Sequence, residues 1–545
     1  MRISHLTVIA LLVLTGCAGA PKQKDVLNSR EALLSGRADL AAQAFENAYK
    51  NQEKKDTPYF LEKGYVERFG NQANLAKSTS LFLAADRHVE DWAAKATTDL
   101  GRSTADFLNY FFSPIGSGAR YDLKGYETSM LSFNVAVNHM LAGRSDLAAV
   151  EARKMADREK LIERLNEKKT LAVEEKEREK GAGFSRVERI QGYPVEIINS
   201  PEVRNLKNSY QNAAAHYLAG FIFESQGDVG LAAPGYRLAL ELFPRNRLFK
   251  DSLAGLDQPR ARSEDDTTDV LFVVETGVAP FVYQFSNTMT FNTPNGPRIV
   301  TIRLPQISRE KFAPRISGLS VGASRVELEL AADIDSMARR NLRDEMPGHV
   351  LKATTQAIIQ LVAQHAAQEA MKRNNKDNQA AGIFAAIAVG AALSVGNVDT
   401  RGWTTLPGSI YLGRAKFKKG RHTVKVPTPM GEMTQTINLT RQHEVVLIRN
   451  VKSGALWATP HVAQPIKYST NISDPLEAAK KPDASREVGA GRAAAQNTQA
   501  VKPENNADTF NLQTVNCSLK AGLTSLQSLF GSQDKAEKPA DAECK

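Results

Sequence analysis

The chain has 545 residues, 42% of them hydrophobic and 24% charged, with a formal net charge of +10. Length allows two or three domains, each with its own core, and the ordinary globular composition excludes a low-complexity or fibrous chain. Its cationic excess is modest, so it reads either as a plain solvated surface or, in an exported chain, as a mild bias toward anionic lipid, lipopolysaccharide or peptidoglycan carboxylates, with no nucleic acid as partner.

Arg2 precedes the apolar run from Leu6 to Leu14, which is too short to span a bilayer and closes on Thr15-Gly16-Cys17. That ending resembles the lipobox of bacterial lipoproteins; the other reading is an ordinary signal peptide that contains a cysteine. The resemblance implies a signal peptide over residues 1–16 and a mature chain beginning at Cys17 with a thioether-linked diacylglycerol and an acylated amine. Each buried acyl methylene contributes roughly 0.8 kcal/mol, so several chains hold the protein at the membrane. Ala18-Gly19-Ala20 lacks the aspartate associated with inner-membrane retention, which implies the periplasmic side of the outer membrane.

Residues 17–257 carry an internal repeat. Gly36-Arg37-Ala38-Asp39-Leu40-Ala41-Ala42 returns as Gly143-Arg144-Ser145-Asp146-Leu147-Ala148-Ala149 and, more loosely, as Gly227-Asp228-Val229-Gly230-Leu231-Ala232-Ala233. Each copy predicts a helix broken by a glycine at positive φ, followed by a second helix whose alanines permit a close crossing. Around the third copy Gly220, Phe223, Gly227, Ala232, Tyr236, Ala239 and Pro244 resemble the tetratricopeptide repeat, with His216 and Ala219 departing from it. The pattern's first helix lines a groove, which makes Tyr217, Phe221 and Glu224 candidate partner-binding residues; the alternative is a place in the core. The mixed-charge stretch from Arg153 to Lys180 predicts an exposed helical arm.

After a polar link, residues 269–455 change to a strand period. Asp269 to Val274 is a continuous apolar run suited to a central strand, and Val282 to Phe285, Thr288 to Phe291 and Ile299 to Ile302 form a hairpin about Pro294-Asn295-Gly296. Val326 to Leu330, Ile410 to Leu412, His422 to Val426, Thr434 to Leu439 and Glu444 to Ile448 add short strands, so the expectation is a small β-sandwich-like domain. A helical insertion spans 347–397, beginning near Pro347. Its second part, Ala380 to Gly396, is uncharged, with Gly382, Ala386, Gly390 and Ser394 at i, i+4 as a helix-packing or membrane ridge. It is either a buried helix or a membrane-inserting, oligomerising one.

Asp399-Thr400-Arg401-Gly402-Trp403-Thr404-Thr405-Leu406-Pro407, with Asp269 to Val274 and the lipobox, is similar to a little-characterised family of proteobacterial outer-membrane lipoproteins with degenerate tetratricopeptide-like repeats. Some of its members are encoded near lipoprotein activators of penicillin-binding proteins, which implies cell-wall work and supplies no catalytic residues. Arg401 and Trp403 read as an anchoring or cation-π contact. No nucleophile elbow, phosphate loop, dinucleotide fingerprint or zinc spacing occurs, so no catalytic residue, metal ligand or cofactor is expected. Residues 468–545 read as a largely disordered tail, in which Cys517 and Cys544 form an even pair able to close a disulfide.

The sequence thus predicts an α+β chain: helical repeats, then a β-rich domain. The expected function is a non-enzymatic, lipid-anchored scaffold binding envelope proteins in cell-wall or polysaccharide assembly. The alternative is a homo-oligomeric membrane-associated assembly subunit using residues 380–396, and a cell-wall enzyme comes third.

Overall fold

Three glycines set the layout of the N-terminal half in the computed structural model, which describes residues 23–52, 55–69, 74–102, 121–180, 186–257, 266–293, 296–373 and 398–458. Helices α1 (Gln23–Leu34) and α2 (Ala38–Ala48) meet at Gly36. After α3 (Thr57–Glu67) and α4 (Leu75–Leu100), α5 (Gly125–Leu141) and α6 (Ser145–Lys180) meet at Gly143. Two short helices, α7 (Val195–Ile198) and α8 (Pro201–Asn205), precede α9 (Ala213–Ser225) and α10 (Val229–Leu242), which meet at Gly227, and α11 (Arg247–Gly255) follows. The three glycines have φ of 75°, 74° and 82°.

The same two bonds close each turn: Gly36 N donates to Leu33 O and Arg37 N to Ala32 O, with Gly143 and Arg144, and Gly227 and Asp228, repeating the pattern. This is the Schellman closure that a left-handed residue permits. Ala41, Ala148 and Ala232 are buried just beyond, as the close crossings require. The tightest crossing joins α9 and α10, where a Cβ on Gly235 would lie 2.7 Å from both Gly220 N and His216 O. Because those neighbours are backbone, Gly235→Ala should cost about 1–3 kcal/mol, measured by urea unfolding.

The expected exposed arm is instead half of a helix pair. Leu161, Leu165 and Ala172 of α6 are buried with Ala96, against Trp92, Ala93 and Leu100 of α4. Lys154 and Arg158 reach Asp86 of α4 at 2.9 and 2.7 Å. Lys168 Nζ donates to the carbonyls of Asp99, Leu100 and Arg102, neutralising the negative end of α4. A sequence window cannot show this, because the acid and the carbonyls come from another helix.

The strand half begins with β1 (Thr267–Thr276), the ribbon β2 (Val282–Thr293) and β3 (Gly296–Ile307), and the short β4 (Gly318–Val321), β5 (Ser324–Glu327) and β6 (Glu329–Asp333). After the helix α12 (Ile334–Arg373) come β7 (Ser409–Lys418), β8 (Gly420–Thr428), β9 (Gly431–Leu439), β10 (His443–Val451) and β11 (Gly454–Ala458). One sheet has the order β11-β10-β1-β7-β6, a second is β2-β3, and a third is β5-β4-β8-β9. β1 is central, parallel to β10 and antiparallel to β7.

Side chains alternate along β1, so its two faces serve two layers. Val270, Phe272 and Val274 join Leu319, Val424 and Val426 of the four-stranded sheet, whereas Leu271 and Val273 join the helices. That double burial is why the run reads as continuously apolar. A single apolar cluster runs from Val26 through Phe249 to Leu447, so helices and sheet share a core.

Helix α12 starts at Ile334, thirteen residues before the expected start at Pro347, which lies inside it. Asp333 decides the start, accepting from both Ser336 N and Ser336 Oγ as an N-cap. The helix lies along β3 through evenly spaced glutamines. Gln360 accepts from Thr301 N and donates to Thr301 O, and Gln364 does the same with the N–H and carbonyl of Ile299. Two residues along the strand match four along the helix, so side-chain amides occupy an edge that another strand could otherwise take.

No described helix is long and apolar enough to cross a membrane. Cys17, the ridge of Gly382, Ala386, Gly390 and Ser394, and the Cys517–Cys544 pair lie outside the described residues.

Candidate functional site

Two buried carboxylates pin the Asp399–Pro407 segment to the helices. Glu62 of α3 accepts from Thr404 N at 2.6 Å, Thr404 Oγ1 at 2.7 Å and Thr405 N at 3.1 Å, and also from Thr405 Oγ1. Glu127 of α5 accepts from Trp403 N at 2.8 Å and from Tyr121 OH and Lys124 N. Between these anchors the Trp403 indole is 2% exposed, 5.7 Å from the Phe82 ring and 6.3 Å from Tyr65. Arg401 pairs with Asp399 at 2.7 Å and lies 5.5 Å over Tyr121, so its cation-π partner is Tyr121 and Trp403 serves as the buried anchor.

Burial pushes the Glu62 carboxyl up to about 7, and the threonine donors pull the other way. Glu127 is likewise raised by burial against its donors. Folded Glu62 binds its proton more tightly than an unfolded carboxyl of 4.5, so its contribution is complete below 4.5 and is lost as pH rises through about 7. Unfolding free energy should therefore fall between about pH 5 and 7, with Glu62 alone contributing a slope approaching ~1.4 kcal/mol per unit. Glu62→Gln should remove that contribution and leave the comparable one of Glu151, which burial also raises to about 7.

Behind the segment lies a second polar cluster. Tyr65 OH donates to Glu275 Oε2, and Arg68 donates to Asn134 and Asn138. Glu275 of β1 is in register with Arg449 of β10, and Arg449 lies 5.9 Å over the Tyr65 ring. Burial lowers the Arg68 pKa against the raising influence of Glu275.

The third anchor corrects the groove expectation. Tyr217 and Phe221 are fully buried. Tyr217 stacks on Phe249 at 5.1 Å, and Phe221 meets His443 of β10 at 5.8 Å. Glu224 forms a bidentate pair with Arg414 of β7, both bonds 2.9 Å, while Arg414 also reaches Asp269 at 2.7 Å and lies 5.0 Å over Phe221. Burial raises the Glu224 pKa, but Arg414 and Tyr236 outweigh it and hold the carboxyl below its usual range. The first helix of the hairpin thus faces this chain's own sheet.

The other two hairpins use loops at opposite ends of β10. Arg441 donates to Met140 O and Leu141 O at the end of α5, and Lys452 N donates to Leu34 O at the end of α1. Cationic or N–H groups at helix C-termini satisfy the orphan carbonyls there.

A cavity of about 300 Å³ opens between α4, α6 and α12, lined by Trp92, Lys124, Lys169, Glu345, His349 and Lys352 among others. Burial alone would raise Glu345, yet Lys124, His349 and Lys169 hold it well below the usual carboxylate range. Burial lowers Lys169 and Lys352. The lining mixes these ammonium groups with the carboxylates of Asp99, Asp122 and Glu345. Among the described residues, no group of three or more His, Cys, Asp and Glu side chains is arranged to hold a metal ion.

Glu127 left a trace in the sequence as the one carboxylate of helix α5, and Glu62 sits in an aromatic, apolar stretch. Neither signal names the partner. No protein family, curated protein or solved structure matches this chain.

Proposed function

We propose that the chain is a scaffold of the bacterial envelope, held by lipid on Cys17 at the periplasmic side of the outer membrane, that binds envelope proteins through the outward face of its helix hairpins. The inner face of the third hairpin is taken up by the sheet. The observation that carries the reading is a repeated one: the leucine four residues after each turn glycine points outward, with Leu40 48% and Leu231 41% exposed and Leu147 half-buried. An apolar side chain repeated at the outward position of three hairpins supports a partner surface on that face. Degenerate tetratricopeptide-like repeats, a sandwich-like packing of the two larger sheets and cell-wall or polysaccharide assembly belong to the same proposal, supported by the lipobox and the 399–407 motif.

Replacing Leu40 and Leu231 together with glutamate should leave stability within about 0.5 kcal/mol, because both side chains face solvent. Recovery of a discrete protein in pull-downs from detergent-solubilised envelope should fall about tenfold or more, the worth of ~1.4 kcal/mol of binding. Unchanged recovery would remove the outward face from consideration. Cys17→Ser should abolish incorporation of labelled palmitate and release the chain from the membrane fraction.

A further inference from the structure

We propose that Arg449, with Arg68 and Tyr65, holds a small monovalent anion, chloride in the first place, among the buried polar groups between α3, α5 and the five-stranded sheet. Arg449 is fully buried, and its Nε, Nη1 and Nη2 each lack a hydrogen-bond acceptor within the protein. Glu275 is its neighbour in register, yet no ion pair joins them; Glu275 accepts from Tyr65 OH, and its Oε1 receives no donor. Arg68, 1% exposed, uses Nη1 and Nη2 on Asn138 and Asn134 and leaves Nε unmatched.

The charge count points the same way. Two guanidinium groups face one carboxylate, while the neighbouring buried acids, Glu62 and Glu127, are taken up by the 403–405 backbone and by Thr404, Thr405 and Tyr121. A buried cation without a counter-charge is strongly disfavoured, and a fork of unmatched N–H donors adds to the cost. One negative charge balances the cluster. The burial of Arg449, Arg68, Tyr65 and Glu275 shuts out a large ligand, and Glu275 repels a dianion such as phosphate, which leaves a halide-sized species. It would join α3, α5 and β10 from within, behind Trp403.

The test uses the full chain in detergent at constant ionic strength, with chloride replaced stepwise by gluconate. Thermal unfolding of the wild type should shift upward on the order of 1–2 °C for each tenfold rise in chloride above the dissociation constant, with bromide equivalent. Arg449→Met should lose that dependence, and crystals grown in bromide should show an anomalous peak within 3.5 Å or so of the guanidinium. Should Arg449→Met fail to fold, the wild-type titration and the bromide peak decide alone. Equal midpoints in chloride and gluconate, or a water with no bromide signal bridging Arg449 to Glu275, would overturn the proposal.

Discussion

Glu62→Ala should destabilise the chain by about 4 kcal/mol, because four donors aimed at one carboxylate lose their acceptor in a water-free place and each unmatched group costs roughly 1–3 kcal/mol. The donors are the backbone N–H and hydroxyl groups of Thr404 and Thr405. Glu62→Gln keeps one oxygen and turns an NH2 toward the other threonine, so about half the loss should remain. Thr405→Val removes a single hydroxyl and should cost about 1 kcal/mol. Urea unfolding at pH 8, where a carboxyl of about 7 is ionised, gives this ranking, and an alanine variant within 1 kcal/mol or so of wild type would contradict it. Fluorescence is a second readout, since Trp403 sits beside the anchored threonines and should redden as water reaches it.

Arg414→Met is the second large effect. It strips the counter-charge from Glu224 and Asp269 at once, and both carboxylates are mostly buried. Breaking such a pair from one side costs about 3–5 kcal/mol, far more than the intact pair contributes. The loss should be local before it is global: hydrogen exchange should quicken first in α9, α10 and β7, which the arginine joins. A triple change of Arg414, Glu224 and Asp269 to apolar residues should recover much of the loss, since no uncompensated charge then remains. If the triple variant is no better than the single one, the arginine acts by packing on Phe221 rather than by charge.

Local features were legible in the sequence wherever one segment carries its own cause. Gly36, Gly143 and Gly227 announced three turns because the left-handed conformation is a property of one residue, and all three turns close with identical bonds. Asp269 to Val274 announced a central strand because burial on both faces leaves no polar position. Long-range causes were hidden. Thr404 and Glu62 are 342 positions apart, and Trp403 and Glu127 are 276 apart, so no window contains both partners. The same distance misled the reading of Tyr217, Phe221 and Glu224: a repeat groove invites a partner, and here β7 and β10 of the same chain fill it. The start of α12 was missed because Pro347 is a louder signal than Asp333, although a side-chain cap decides where a helix begins.

The glutamines of α12 work as a vernier. Four helical residues advance about 6.0 Å and two strand residues about 6.7 Å, so each successive pairing falls further out of step by roughly 0.7 Å. Two complete pairings fit, at Thr301 and Ile299, and the next would call on Pro297, which has no N–H to give; Gln368 turns to the guanidinium of Arg298 instead. The ruler therefore has an end stop written into both scales. A slip of the helix by one turn would set Gln364 against the proline and take Gln368 away from Arg298, so the Gln368–Arg298 bond belongs to this alignment.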